Sequence, residues 1–242
     1  MRKSKTLKRV RNNEIARIAI LGHFIPAFVF HAARAGQDCI WLDLEHREMS
    51  TKEVQALLAY SHLFDIDFMI RPPSKEKTPL GRYLEDGAAG LMIPQVANAE
   101  EAKELVMATK FPPIGDRGID NAGLDSDFST HDPDEYVAWV NRETFLVLQI
   151  ETPEAVHNIE SIVAVEGVDG IFVGPADLGL RLRQSGEMPL EEAFERVIEA
   201  CTKYDKPWGC PAYQAEEFQK RSGQGARLLA AAKAIDMATT GR

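Results

Sequence analysis

Residues 144–173 open with Thr144-Phe-Leu-Val-Leu-Gln-Ile-Glu151, continue with Thr152-Pro-Glu-Ala-Val-His-Asn-Ile159, and close with Gly170-Ile-Phe-Val173. The first run, Thr144 to Ile150, is apolar and of strand length. The pair Thr152-Pro153 starts a helix, because proline at the first turn gives up no hydrogen bond there. Gly170 to Val173 is again strand-like. A strand, a helix and a second strand in succession form one unit of a parallel sheet.

The same alternation extends in both directions. Towards the N-terminus, strand candidates are Ile18 to Leu21, Cys39 to Leu44, Asp67 to Ile70 and Gly90 to Ile93. Helical segments lie between them at Phe28 to Ala35, Thr51 to Leu63, Thr78 to Asp86 and Asn98 to Thr109, the last with Asn98 as a cap. Towards the C-terminus come a helix over Leu190 to Tyr204, strand candidates Lys206 to Cys210 and Arg227 to Ala230, and a short helix over Ala231 to Thr240. Eight such strands predict a closed (β/α)8 barrel of the α/β class, a TIM barrel, as one domain over residues 1–242. An open doubly wound sheet is the runner-up, but no strand is followed by G-x-G-x-x-G or G-x-x-x-x-G-K-[ST]. The polar stretch from Pro112 to about His131, rich in Gly and Asp, is long enough to be expected either functional or disordered.

Composition narrows the partners. The 242 residues carry 28 Lys plus Arg against 37 Asp plus Glu, a net charge of -9, which argues against a nucleic-acid surface. No apolar stretch approaches the ~20 residues of a membrane span. Cys39, Cys201 and Cys210 form no C-x-x-C pair and are expected as buried free thiols in a cytoplasmic protein. The basic run from Arg2 to Arg11 lacks an apolar core and is expected as a solvated first helix.

In this barrel class chemistry sits where the strands end. The second strand ends Trp41-Leu-Asp-Leu-Glu-His46, the third Met69-Ile-Arg71, the fifth Val147-Leu-Gln-Ile-Glu151, and the sixth runs Phe172-Val-Gly-Pro-Ala-Asp177. Side chains alternate along a strand, so Gln149 and Glu151 share the inward face, opposite Leu148 and Ile150; Asp43 and Glu45 pair in the same way. One strand-end carboxylate is ordinarily a cap or a surface ion pair. Several converging on one rim carry an electrostatic cost that a cation between them relieves. Carboxylate and water ligands suit Mg, Mn or Co. No strand so placed holds a lysine in its interior, so an electrophile at this rim would be a metal rather than a Schiff base.

At these residues the chain resembles the HpcH/HpaI aldolase family, the class II pyruvate aldolases related to 2-keto-3-deoxy sugar acid aldolases. The matching stretches are Trp41 to His46, Ile70-Arg71-Pro72, Phe111 to Gly118, Leu148 to Glu151 and Glu166 to Leu178, within an overall likeness from Thr6 to Ala230. The resemblance implies a divalent metal on Glu151 and Asp177, chelated by pyruvate through its carboxylate and keto oxygens. It places substrate against Arg71, Gln149, Gly174, Pro175, Ala176 and Asp177, with the N–H groups of Ala176 and Asp177 on the carboxylate. Arg71 is implied at the keto oxygen, and His46, oriented by Asp43, moves the proton at the acceptor hydroxyl. Glu45 is implied to support a metal-bound water. The implied activity is cleavage or formation of a 4-hydroxy-2-oxo acid, giving pyruvate and an aldehyde, in a homo-oligomer (trimer or hexamer). The aldolase reaction passes through a metal-stabilised pyruvate enolate; oxaloacetate decarboxylation through that same enolate and a non-catalytic keto-acid-binding barrel are the alternatives. Arg47, the loop Ile119 to Asp125 and Leu229-Ala-Ala-Ala-Lys233 depart from the family pattern.

Overall fold

A computed structural model describes residues 2–233. In chain order the elements are α1 (Lys5–Arg11), β1 (Ala16–Leu21), α2 (Pro26–Arg34), β2 (Cys39–Asp43), α3 (Thr51–Phe64), β3 (Asp67–Arg71), α4 (Lys77–Glu85) and β4 (Gly90–Ile93). They continue with α5 (Ala99–Thr109), α6 (Pro133–Glu143), β5 (Phe145–Ile150), α7 (Pro153–His157), α8 (Ile159–Val163), β6 (Gly170–Val173) and α9 (Pro175–Ser185). The last are α10 (Leu190–Lys203), β7 (Trp208–Pro211), α11 (Ala215–Gly223) and β8 (Leu228–Lys233). All eight strands are parallel and pair in sequence order, and β1 pairs with β8 to close the barrel.

Alternation along the strands sorts the core into two parts. Ile40, Leu42, Phe68, Ile70, Leu146, Leu148, Ile171 and Val173 pack against the helices. Cys39, Trp41, Met69, Met92, Val147 and Phe172 fill the barrel interior. Gln149 and Asp43 continue the inward series at the next pleat, so the polar groups stand on top of a packed apolar plug. Cys39, Cys201 and Cys210 are free and buried, as expected. Among the described residues, no helix is long and apolar enough to cross a membrane.

Two expectations need correction. First, α1 is solvated on its basic face, where Lys8, Arg9 and Arg11 are exposed, but its other face is docked rather than free. Thr6 and Leu7 are buried, and Asp67, at the start of β3, accepts from Ser4 Oγ at 2.7 Å, Thr6 N at 2.8 Å and Arg2 Nη2 at 2.6 Å. Arg9 and Arg11 reach Asp38 and Glu143, just before β2 and β5, so the basic run seals the end of the barrel where the strands begin. Second, the helix expected from Ala231 does not begin there: β8 runs to Lys233, paired with Ile20. Residues 234–240 of that expected helix lie outside the described residues. Lys233 is the last residue of that strand.

The 112–131 segment follows the C-terminus of α5 and leads into α6, so it departs from the end opposite the mouth. It packs along α4: Asp116 takes Lys77 at 2.9 Å, and Gly123 lies so close to the Glu85 carbonyl that a Cβ would be 2.3 Å from it. Arg117 lies over the Phe111 ring and pairs with Asp125 at 3.1 Å, and the Tyr136 hydroxyl donates to Asp125 at 2.6 Å. These contacts give the loop its own small core.

Candidate active site at the barrel mouth

Register brings the first pair together. Asp43 and Arg71 are direct neighbours across β2 and β3. The guanidinium meets the carboxylate with two teeth, Nε to Oδ1 at 3.0 Å and Nη2 to Oδ2 at 2.9 Å. Its Nη1 lies 3.1 Å from Glu45 Oε2. Arg71 is 6% exposed and Asp43 9%, so this is a fork held away from water, where charge-assisted pairing is strong and geometry tight.

Asp43 also shapes the turn after β2. Its Oδ1 accepts from the backbone N–H groups of Glu45 and His46, at 3.1 and 3.3 Å. The expected orientation of the His46 imidazole by Asp43 is thus replaced by a grip on the His46 backbone. The ring itself is 57% exposed, with Nε2 3.8 Å from Glu45 Oε2. Glu45 is the carboxylate nearest that ring in this arrangement, and its Oε1 accepts from Gln95 Nε2 at 3.3 Å.

Glu151 follows β5 directly and is 3% exposed. Gln149 Nε2 donates to its Oε1, while Gln149 Oε1 is buried without a partner. Arg181, on α9, donates from Nη1 to the Glu151 carbonyl at 2.7 Å and ties that helix to the end of β5. Burial pushes the Glu151 carboxyl up to about 7; the like charges of Glu45 and Asp177 add to the rise and Arg71 opposes it. Gly174 leaves room for this carboxylate, since a Cβ there would stand 2.5 Å from Glu151 Oε1.

Asp177 is exposed in the first turn of α9. Pro175 at the start suits φ near -65° and brings no N–H, and no side chain caps the helix. The Ala176 and Asp177 N–H groups precede the first intrahelical bond, from Leu178 N to Gly174 O at 3.1 Å, so they face the mouth as donors for an anion.

The expected residues therefore come together, with His46 at the rim. Sequence reasoning missed Gln95 and Arg181. Gln95 follows the β4 end in Ile93-Pro94-Gln95, so the strand-end rule that found the others applied to it as well. Arg181 stands one helical turn after Asp177, a spacing that puts both on one face.

The donor set fits a dication. Three carboxylates share one rim, one has its ionised form disfavoured partly by the other two, and an amide oxygen beside it has no partner. A hard cation with oxygen ligands answers all three. Among the described residues no three His, Cys, Asp or Glu side chains form a ready-made cage. Of the lysines expected outside the mouth, Lys110 pairs with Asp169 at 2.7 Å and Lys206 donates to the Val168 carbonyl at 2.6 Å, both before β6.

Fold and mouth together define a (β/α)8 barrel whose polar groups converge at the C-terminal ends of its strands, the arrangement this fold uses for enzymes. The chain belongs to the HpcH/HpaI aldolase/citrate lyase family, whose description matches residues 21–228. It is 31% identical over 202 residues to the 2-keto-3-deoxy-L-rhamnonate aldolase of Klebsiella pneumoniae subsp. pneumoniae, covering 82% of this chain and 75% of that protein. It is 35% identical over 170 residues to the Salmonella schwarzengrund enzyme of the same name, covering 70% of this chain and 63% of that one, just under two thirds of its length. The crystal structure of an HpcH/HpaI aldolase from Desulfitobacterium hafniense DCB-2 superposes with a TM-score of 0.90 at 30% identity, covering 97% of this chain and 92% of the other.

Proposed function

We propose that this protein is a divalent-metal-dependent class II pyruvate aldolase, cleaving or forming a 4-hydroxy-2-oxo acid through pyruvate enolate. The observation that carries the reading is the meeting of Glu151, Glu45 and Asp177 with the fork-held Arg71 at one mouth. Glu151 and Asp177 would hold Mg, Mn or Co, which when bound supplies an electrophile for a keto oxygen.

The chain's own residues do the rest. The Ala176 and Asp177 N–H groups bind the carboxylate of pyruvate at the α9 N-terminus, and Gly174 and Pro175 let that backbone approach closely. Arg71 still has N–H groups not engaged by Asp43, and these donate to the oxygen where charge builds as the carbon–carbon bond breaks. Gln149 lines the floor, and its free Oε1 accepts from a donor on the substrate or from water. The exposed His46 ring moves the proton at the acceptor hydroxyl, its loop fixed by Asp43 and its ring beside Glu45.

The test is proton–deuterium exchange at the methyl group of pyruvate, with and without Mg or Mn. Metal-dependent exchange supports the reading. Exchange that survives chelation and stops when pyruvate and borohydride are added together assigns the chemistry to a lysine.

A further inference from the structure

Asp43 and Glu45 hold the Arg71 guanidinium by its edges, which leaves its flat faces. One face is covered: Arg71 Cζ stands 4.7 Å from the centroid of the Trp41 ring. Trp41 and Asp43 are two residues apart on β2, so both point into the barrel, with the indole one pleat deeper. The indole is itself held edge-on by Phe172, 5.5 Å away at 75°. Phe172 lies on β6, the strand that leads to Gly174 and Asp177. A single aromatic stack thus joins the floor under Arg71 to the opposite wall of the mouth.

The indole makes poor sense as filler. Its Nε1 is buried with no hydrogen-bond partner, an arrangement that costs free energy. Neighbouring interior positions are filled by Met69, Met92, Val147 and Phe145, none of which buries an unmatched side-chain donor. What tryptophan offers beyond these is the aromatic face that attracts a cation most strongly, more so when both groups are dry.

We propose that Trp41 is a positioning residue, fixing the height and tilt of the Arg71 guanidinium from below so that its free N–H groups stay aimed into the mouth. This rests on the reading of Arg71 as the donor to the keto oxygen. Without the indole, the guanidinium can sink into the vacated space and draw its edge, Nε included, away from Asp43. An interaction that strengthens as charge develops then weakens, lowering kcat more than it raises KM.

Trp41→Leu and Trp41→Phe, each in the full chain, test this with two readouts. The first is solvent exchange of the Arg71 Nε–H, followed by nitrogen-15 NMR. The second is kcat and KM for metal-dependent methyl exchange of pyruvate. In Trp41→Leu the Nε–H exchanges about tenfold faster and kcat falls about tenfold, with KM within about twofold. Trp41→Phe keeps an aromatic face and recovers most of both. Thermal melting of the two variants separates lost packing from lost positioning. The proposal is overturned if the Arg71 Nε–H is as protected in Trp41→Leu as in the parent, or if the Leu and Phe variants are equally impaired. Should the parent itself show no metal-dependent exchange, the aldolase reading fails, and the NMR comparison still decides whether Trp41 holds Arg71.

Discussion

Replacing Gly174 by alanine adds one methyl group where the structure has least room for it. The backbone there has φ -93° and ψ 86°, which alanine can adopt, and the Gly174 N–H continues to donate to the Ile150 carbonyl. The added Cβ would lie 2.5 Å from Glu151 Oε1, 2.8 Å from Glu151 Cγ and 2.9 Å from Gln149 Nε2. All three atoms belong to side chains, so the barrel wall can stay while the carboxylate retreats. Ordinary contact begins near 3.4 Å, which sets that retreat at about 0.9 Å. Overpacking of this kind costs about 1–3 kcal/mol, a drop of several degrees in Tm for a chain of this size. A reacting group misplaced by about 1 Å costs on the order of 100-fold in rate. Gly174→Ala is therefore expected to fold, to bind Mn more weakly and to exchange the pyruvate methyl protons about 100-fold more slowly. Differential scanning fluorimetry, Mn titration and the exchange assay measure the three effects. A Gly174→Ala protein with full Mn affinity and full rate would show that Glu151 Oε1 has no part in the chemistry.

Arg71→Lys keeps a positive charge but loses the two-toothed grip on Asp43; turnover is expected to fall by about 100-fold while Mn affinity changes little, read by steady-state kinetics and titration. Asp67→Ala removes the acceptor of three hydrogen bonds that dock α1; unfolding in urea is expected about 3 kcal/mol easier with kcat unchanged. The Glu151 carboxyl is raised from 4.5 to about 7, so in metal-free protein its stabilising contribution is complete below about 4.5 and is lost as pH rises through about 7. Melting followed across that window should show the loss in the parent and not in Glu151→Gln, and Mn should suppress it.

The strands were readable because β2 to β6 are buried along their whole length, so each appears as an apolar run bounded by polar residues, interrupted in β5 by Gln149. The helices α6, α9 and α11 were missed. The α6 start was signalled by Asp132-Pro133, whose Asp132 side chain caps Asp134 N and Glu135 N, but it sat at the end of a polar loop and was absorbed into it. α11 is so polar that only Arg221 is buried, which leaves little apolar period to detect. The Ala-Ala-Ala stretch at 230–232 favours a helix by local propensity, yet pairing with β1 decides it as a strand. At the site, inward alternation identified Gln149 and Glu151 without help. The Asp43–Arg71 fork and the Trp41 face depend on how β2 registers against β3, and the turn of His46 away from Asp43 depends on backbone geometry; neither leaves a trace in residue order.

Crystals of the protein soaked in a manganese salt and examined by anomalous diffraction test the central claim most directly. The account requires one strong peak per chain, touching carboxylate oxygens of both Glu151 and Asp177. Manganese bound elsewhere, or none at this mouth at saturating concentration, would contradict it.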